Sequence, residues 1–251
     1  MLEIAKQHGL SAGLVVSCSI THATPASFYA HKSSRASVEE IAQDLLKSGT
    51  DVFIGGGKDH FTKRKDGANL IDNLRLQKYQ VADSLPAILK IKSGKLAGFI
   101  ADEEPARASK GRAGQLLNSA KSALDILSKN QKGFFLMIEG SQIDWGGHDN
   151  DTDYVTDEMI DFDKAIGAAL DFAEKDKNTL VIITGDHETG GMAITSGNTN
   201  EGKVEARFNT KSHTGVMIPV FAFGPGAESF SGIYDNTDIF SKMMNAFGFK
   251  K

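Results

Sequence analysis

Six short apolar runs of strand length alternate with amphipathic stretches along this chain, and that alternation constrains the fold more than any other feature. The runs are Leu14 to Ser19, Asp51 to Ile54, Leu96 to Ala101, Phe134 to Ile138, Leu180 to Thr184 and Val220 to Phe223. Between and around them lie helical patterns at Val38 to Lys47, Asn69 to Leu76, Arg112 to Ser128, Asp153 to Glu174 and Asp238 to Phe247. Helices alternating with strands cover a mainly parallel sheet, so the expectation is an α/β fold, a three-layer αβα sandwich. No linker, repeat or low-complexity tract interrupts the pattern, and residues 1–251 read as a single domain.

The remaining sequence narrows the class. Apolar residues make up 40% and charged residues 24% of 251 positions, so a sizeable core can be buried, and the longest apolar runs are too short to span a membrane. A net charge of −4 with no basic stripe excludes an electrostatic binder of nucleic acid. One cysteine, Cys18, excludes an internal disulfide and a cysteine-rich zinc site. Met1 to Gly9 reads as the end of an amphipathic helix, with no signal-peptide pattern. Local signals predict a capping box from Ser37 to Glu40, a helix entry with Thr24 as N-cap and Pro25 first in the helix, and a surface loop from Lys58 to Asp66. Gly55-Gly56-Gly57-Lys58 lacks the spaced first glycine and the Ser/Thr of a phosphate loop and reads as a strand-ending turn.

Chemistry gathers where strands end. Directly after Phe134 to Ile138 come Glu139, Asp144 and His148, set around Gly146 and Gly147. Asp and imidazole suit Zn²⁺, whereas Glu more often meets a harder ion such as Mg²⁺. The same residues also fit a polar loop with an N-capping Asp. Asp186 and His187 follow the run Leu180 to Thr184; adjacent side chains alternate in a strand, so the two converge only where the backbone turns. In open α/β sheets that end of a strand is where ligands bind. His213 supplies another imidazole before a strand, Thr24 offers a hydroxyl that suits Mg²⁺, and Arg35 is either a solvated charge or a bidentate clamp for phosphate.

Taken together these segments resemble the alkaline phosphatase family. The resemblance is carried by His22-Ala-Thr24-Pro25 with Arg35, by Glu139 through His148, by Thr184-Gly-Asp186-His187, and by His213-Thr214 ahead of Val220-Phe-Ala-Phe-Gly-Pro-Gly226. It implies an alkaline-phosphatase-like domain that hydrolyses phosphate monoesters through a phosphoserine at alkaline pH, with two Zn²⁺ and one Mg²⁺. Position by position, it implies that Asp144, His148 and His213 hold the first zinc, Asp186 and His187 the second, and Thr24 and Glu139 the magnesium. Arg35 corresponds to the phosphate clamp, and His22 and Trp145 to variable positions near the magnesium and the phosphate. It also implies small-molecule phosphate monoesters as substrates, a periplasmic or extracellular site of action and a homodimer.

This sequence departs from the family in one respect. The Asp-Gly-Met-Gly and Thr-Asp-Ser-Ala segments, which supply a bridging carboxylate and the nucleophilic serine, do not occur in it, and neither Ser19 nor Ser141 has a catalytic context. The expectation is therefore a chain that lacks its N-terminal segment, binds zinc and turns over little substrate alone. Other readings are another two-metal hydrolase of the superfamily, a phosphodiesterase or sulfatase, and a non-catalytic zinc-binding protein.

Overall fold

The computed structural model describes residues 1–249. They divide into two compact units, Met1–Gly140 and the remainder from Ser141 on.

In the first unit the elements in order are α1 (Leu2–Gln7), β1 (Ser11–Ser19), α2 (Ala23–Ala26), α3 (Val38–Lys47), β2 (Val52–Gly56), α4 (Asp59–Thr62), α5 (Leu70–Leu76), β3 (Tyr79–Ala82), α6 (Leu85–Ile88), β4 (Lys95–Phe99), α7 (Gln115–Leu127) and β5 (Phe134–Glu139). The five strands form one parallel sheet in the order β3-β4-β2-β1-β5. Every residue of β1 after Ser11 is buried, as a central strand covered on both faces requires. On one face a Cβ added to Gly13 would lie 2.7 Å from Leu127 of α7, and one added to Gly98 would lie 2.8 Å from Ile88 of α6, so glycine lets both helices seat closely on the sheet. On the other face Phe53 stacks on Phe61 of α4, and Phe99 meets both rings at centroid distances of 5.7 and 4.9 Å.

Helix α3 shows how the pattern becomes structure. Its buried residues, Ile41, Ala42, Leu45 and Leu46, fall on one face, while Glu39 and Glu40 in the first turn and Lys47 in the last complement the helix dipole. Lys6 and the Ala12 N–H both donate to Asp51, at 2.6 and 2.8 Å, and so pin the start of β1 to the residue before β2.

Three local expectations are corrected. Ser37 stands at the N-cap of α3, but its side chain makes no capping hydrogen bond; with ψ at 50° its backbone is not extended, and its N–H turns back to Ser34 O. Helix α2 starts two residues earlier than expected: His22, with extended backbone, is the N-cap, and Thr24 and Pro25 lie inside the first turn. Pro25 is tolerated there because the first N–H groups of a helix have no intrahelical partner. Lys58 to Asp66 is not a surface loop, since α4 buries Phe61 completely and Arg64, two residues beyond the helix, is nearly buried too. Arg64 is held there by Asp66 at 2.5 Å and by the Glu39 and His60 carbonyls.

Strand β1 lies between β2 and β5. The chain leaves β1 for one side of it and later enters β5 on the other, so a topological switch point, the usual ligand crevice of such sheets, falls at the carboxyl ends of β1 and β5.

The second unit contains α8 (Gln142–Asp149), α9 (Thr152–Asp176), β6 (Val181–Ile183), β7 (Glu188–Thr189), β8 (Ala193–Asn198), β9 (Lys203–Arg207), β10 (His213–Thr214), β11 (Phe221–Phe223) and α10 (Asp238–Ala246). Its strands form three antiparallel pairs, β6 with β11, β7 with β10 and β8 with β9. Asp151 caps α9 by accepting from the Tyr154 N–H at 3.1 Å. Val216, Met217, Phe221 and Phe223 are exposed.

Candidate metal centre

In the first unit, Glu139 closes β5 in register with Val16 of β1, and Cys18 Sγ lies 3.7 Å from its Oε2. The segment that leaves β1 is clamped from several elements. The Ser19 N–H donates to Glu104 at 2.6 Å, the Ile20 N–H to the Gly56 carbonyl at 3.0 Å, and Tyr29 Oη to the Ile20 carbonyl at 2.7 Å. Thr21 Oγ1 meets His60 Nδ1 at 2.6 Å. Burial lowers the His60 pKa from its ordinary value, with the surrounding carboxylates opposing that shift, and so favours the neutral ring. This clamp fixes the approach to His22 and to Thr24, which lies in α2. Arg35 Nη2 lies 3.1 Å from His22 Nε2. A guanidinium only donates, so Nε2 accepts and the proton of a neutral His22 sits on Nδ1.

In the second unit, Asp144 and His148 do not stand on a loop, and Asp144 is not an N-cap. Both lie in α8, four residues apart, on one helical face. Gly146 and Gly147 bring the other side of that helix against its neighbours: a Cβ on Gly146 would fall 2.9 Å from the Val155 backbone nitrogen, and one on Gly147 would fall 2.7 Å from the Thr189 carbonyl oxygen.

Strands β7 and β10 then bring in the rest. His213 pairs with Thr189, and Thr214 with Glu188. Side chains alternate along each strand, so Thr189 and His213 share one face and Glu188 and Thr214 the other. On that second face, Thr214 Oγ1 donates to Glu188, which also accepts the Gly191 and Met192 N–H groups at 3.0 Å each. Burial pushes the Glu188 pKa up, but these hydrogen bonds outweigh it and hold the carboxyl below its usual range. The result is a fixed backbone beneath His213.

On the first face three donor atoms converge. His148 Nε2 lies 3.4 Å from Asp144 Oδ1, His213 Nε2 lies 3.6 Å from the same oxygen, and the two imidazole nitrogens are 3.2 Å apart. With ligand bonds of about 2.0–2.1 Å, the edges of a zinc tetrahedron are about 3.3 Å. The triangle therefore has the dimensions of one tetrahedral face, and its donor set fits zinc. His148 Nδ1 is 2.7 Å from the Lys211 carbonyl, which can only accept. That bond places the ring proton on Nδ1 and leaves Nε2 as a lone pair toward the triangle.

Asp186 and His187 lie between β6 and β7, where the backbone is irregular, and Asp186 Oδ2 approaches His187 Nε2 at 3.1 Å. The His187 ring stacks on His213 with centroids 3.5 Å apart. Trp145 follows Asp144 in α8. Thr189, whose hydroxyl contacts both Asp144 and His187, belongs to none of the sequence motifs as a candidate ligand, and the same holds for Glu188, Lys211, His60 and Glu104. Thr189 is legible only from the strand register, and a backbone carbonyl such as that of Lys211 carries no sequence signal.

The family model described as Alkaline phosphatase matches residues 1–209 and 195–249. Alkaline phosphatase 4 of Bacillus subtilis is 37% identical over 313 aligned residues, which cover 95% of this chain and 68% of the relative. The solved alkaline phosphatase of the Antarctic bacterium TAB5 superposes with a TM-score of 0.94 at 43% identity, covering 100% of this chain and 76% of that one. A variant of the TAB5 enzyme, solved with Mg bound in its M3 site, superposes with a TM-score of 0.92 at 41% identity, over the same shares of the two chains.

Proposed function

Because the chain belongs to the alkaline phosphatase family, whose reaction is metal-assisted hydrolysis of phosphate monoesters, we propose a specific assignment of its site residues. Asp144, His148 and His213 hold one Zn²⁺, Asp186 and His187 contribute to a second, and Thr24 and Glu139 contribute to a Mg²⁺ site. Arg35 binds phosphate, and His22 and Trp145 act near the substrate. The observation that carries this reading is the triangle of Asp144, His148 and His213, with edges of 3.2 to 3.6 Å.

When bound, paired zinc ions stabilise the attacking and leaving oxygens of an in-line displacement. The chain's own residues do the remaining work. Asp144, His148 and His213 would hold a zinc ion through three protein donors, the number found in reactive rather than structural zinc sites. The Lys211 carbonyl holds His148 in the one tautomer that can ligate through Nε2. Arg35 offers a planar fork matched to two phosphate oxygens, and in this structure one of its nitrogens rests on His22 Nε2. The carboxyl ends of β1 and β5 set Glu139 and the segment leading to Thr24 at the same crevice of the sheet.

For the 251-residue chain by itself the proposal is zinc binding with greatly reduced phosphatase turnover, because its residues include neither the nucleophile segment nor the bridging carboxylate of the family pattern. The test is zinc titration by calorimetry together with phosphate release from a chromogenic monoester. Tight zinc binding that Asp144→Asn weakens, with little turnover, supports the reading; turnover equal to that of a full-length relative overturns it. We further propose that residues 1–251 fold as one domain and that the protein is exported, acts on small phosphate monoesters and forms a homodimer.

A further inference from the structure

We infer that Thr189 is a positioning residue whose hydroxyl ties the ligands of the two proposed zinc sites into one directed hydrogen-bond chain. The inference rests on the metal assignment above. Thr189 Oγ1 lies 2.5 Å from Asp144 Oδ1 and 3.3 Å from His187 Nδ1. An ionised carboxylate has no proton to give, so the hydroxyl donates to Asp144. Its single hydrogen is then used, and the contact with His187 is attractive only when Nδ1–H donates to the hydroxyl oxygen. The order is fixed throughout: His187 Nδ1–H to Thr189 Oγ1–H to Asp144 Oδ1.

This order has two effects at once. It leaves Nε2 of His187 as the lone-pair nitrogen, and that atom faces Asp186 Oδ2 at 3.1 Å, close to the tetrahedral edge of about 3.3 Å expected for two ligands of one zinc ion. It also occupies one acceptor position of Asp144 and so sets the rotation of the carboxylate that faces His148 and His213. Thr189 is held in place from both sides. Its backbone pairs with His213, and its Cβ and Cγ2 would lie 2.9 and 3.0 Å from a Cβ on Gly147. Residues that orient metal ligands in this way are worth about 10–100-fold in metal affinity.

The test compares Thr189→Ala, which removes the donor, with Thr189→Ser, which keeps it, using zinc affinity measured by chelator competition and the His187 tautomer read from ring ¹⁵N shifts of the metal-free protein. The expected result is a zinc affinity about 10–100-fold weaker in Thr189→Ala and within a few-fold of the parent in Thr189→Ser, with His187 in the Nδ1–H form in the parent and serine proteins and mixed in the alanine variant. Equal weakening in both variants would assign Thr189 to packing alone and overturn the inference. Parent-like affinity in Thr189→Ala, in a protein where Asp144→Asn still abolishes tight binding, also overturns it while leaving the metal assignment standing. An Asp144→Asn protein that binds zinc as tightly as the parent overturns both.

Discussion

Replacing Gly147 with alanine sets two opposed effects against each other, and the structure decides between them. In an exposed helix interior, glycine to alanine gains about 0.8–1 kcal/mol from backbone entropy. At Gly147 the new Cβ would stand 2.7 Å from the Thr189 carbonyl oxygen, 2.9 Å from its Cβ and 3.0 Å from its Cγ2. Relaxed contacts between such atoms are about 3.5–4.0 Å, so α8 and β7 must separate by roughly 0.5–1 Å. The carbonyl cannot swing away, because Thr189 is paired with His213. Overpacking of this kind costs about 1–3 kcal/mol, leaving a net loss of about 0–2 kcal/mol. The larger consequence falls on the donor triangle. Metal sites tolerate ligand displacements of about 0.2 Å, so a shift several times larger weakens zinc binding even where stability barely changes. Urea unfolding and zinc competition measure the two effects separately. Gly167, in the interior of α9, is the control: a Cβ there meets nothing within 4 Å, so Gly167→Ala stabilises by about 0.8–1 kcal/mol and leaves zinc affinity untouched. A Gly147→Ala protein that gains the same stability as Gly167→Ala and binds zinc like the parent would show that α8 and β7 are not in the tight contact described.

Three further outcomes are expected. Phe61→Ala, which empties a fully buried site between Phe53 and Phe99, destabilises by about 3–5 kcal/mol in urea unfolding. Burial pushes the Asp44 carboxyl up, but the His31 N–H, Lys32 and Lys47 outweigh it and hold its folded pKa below the ordinary value. The resulting stabilisation is complete above the unfolded pKa of about 3.9 and is lost as pH falls through the folded value, so Asp44→Asn flattens the acid limb of stability against pH. Arg35→Ala lowers inorganic phosphate affinity of the metal-loaded chain by at least about 10–150-fold, since each charge-assisted hydrogen bond of its fork is worth about 1.5–3 kcal/mol, with zinc affinity unchanged in the same calorimeter.

Some of this architecture is legible in the residues and some is not, for physical reasons. The run in β1 and the apolar face of α3 are written as burial patterns, and α3 spans Val38–Lys47 as the spacing predicts. The edge strand β3 is only four residues long and half exposed, so it leaves little apolar signal. Strands β8 and β9 are largely exposed and exist through their mutual ladder, which no single segment encodes. Helix α8 was hidden by its own composition, since Gly146 and Gly147 each disfavour a helix by about 1 kcal/mol and only tertiary packing against Val155 and Thr189 explains them. In the candidate site, the spacing of Asp144 and His148 is visible in the sequence as a pair, while His213 joins them only through the β7–β10 ladder. The supporting Thr189 and Lys211 follow from register and backbone geometry and cannot be found from residue type.

If Asp144, His148 and His213 grip one zinc ion, X-ray absorption at the zinc edge of the protein loaded with one equivalent will see all three. The expected spectrum has a nitrogen and oxygen shell at about 2.0–2.1 Å with the outer scattering of two imidazoles, reduced to one imidazole in His148→Ala and likewise to one in His213→Ala. A spectrum that shows no imidazole scattering, or that neither substitution alters, would contradict that ligand set.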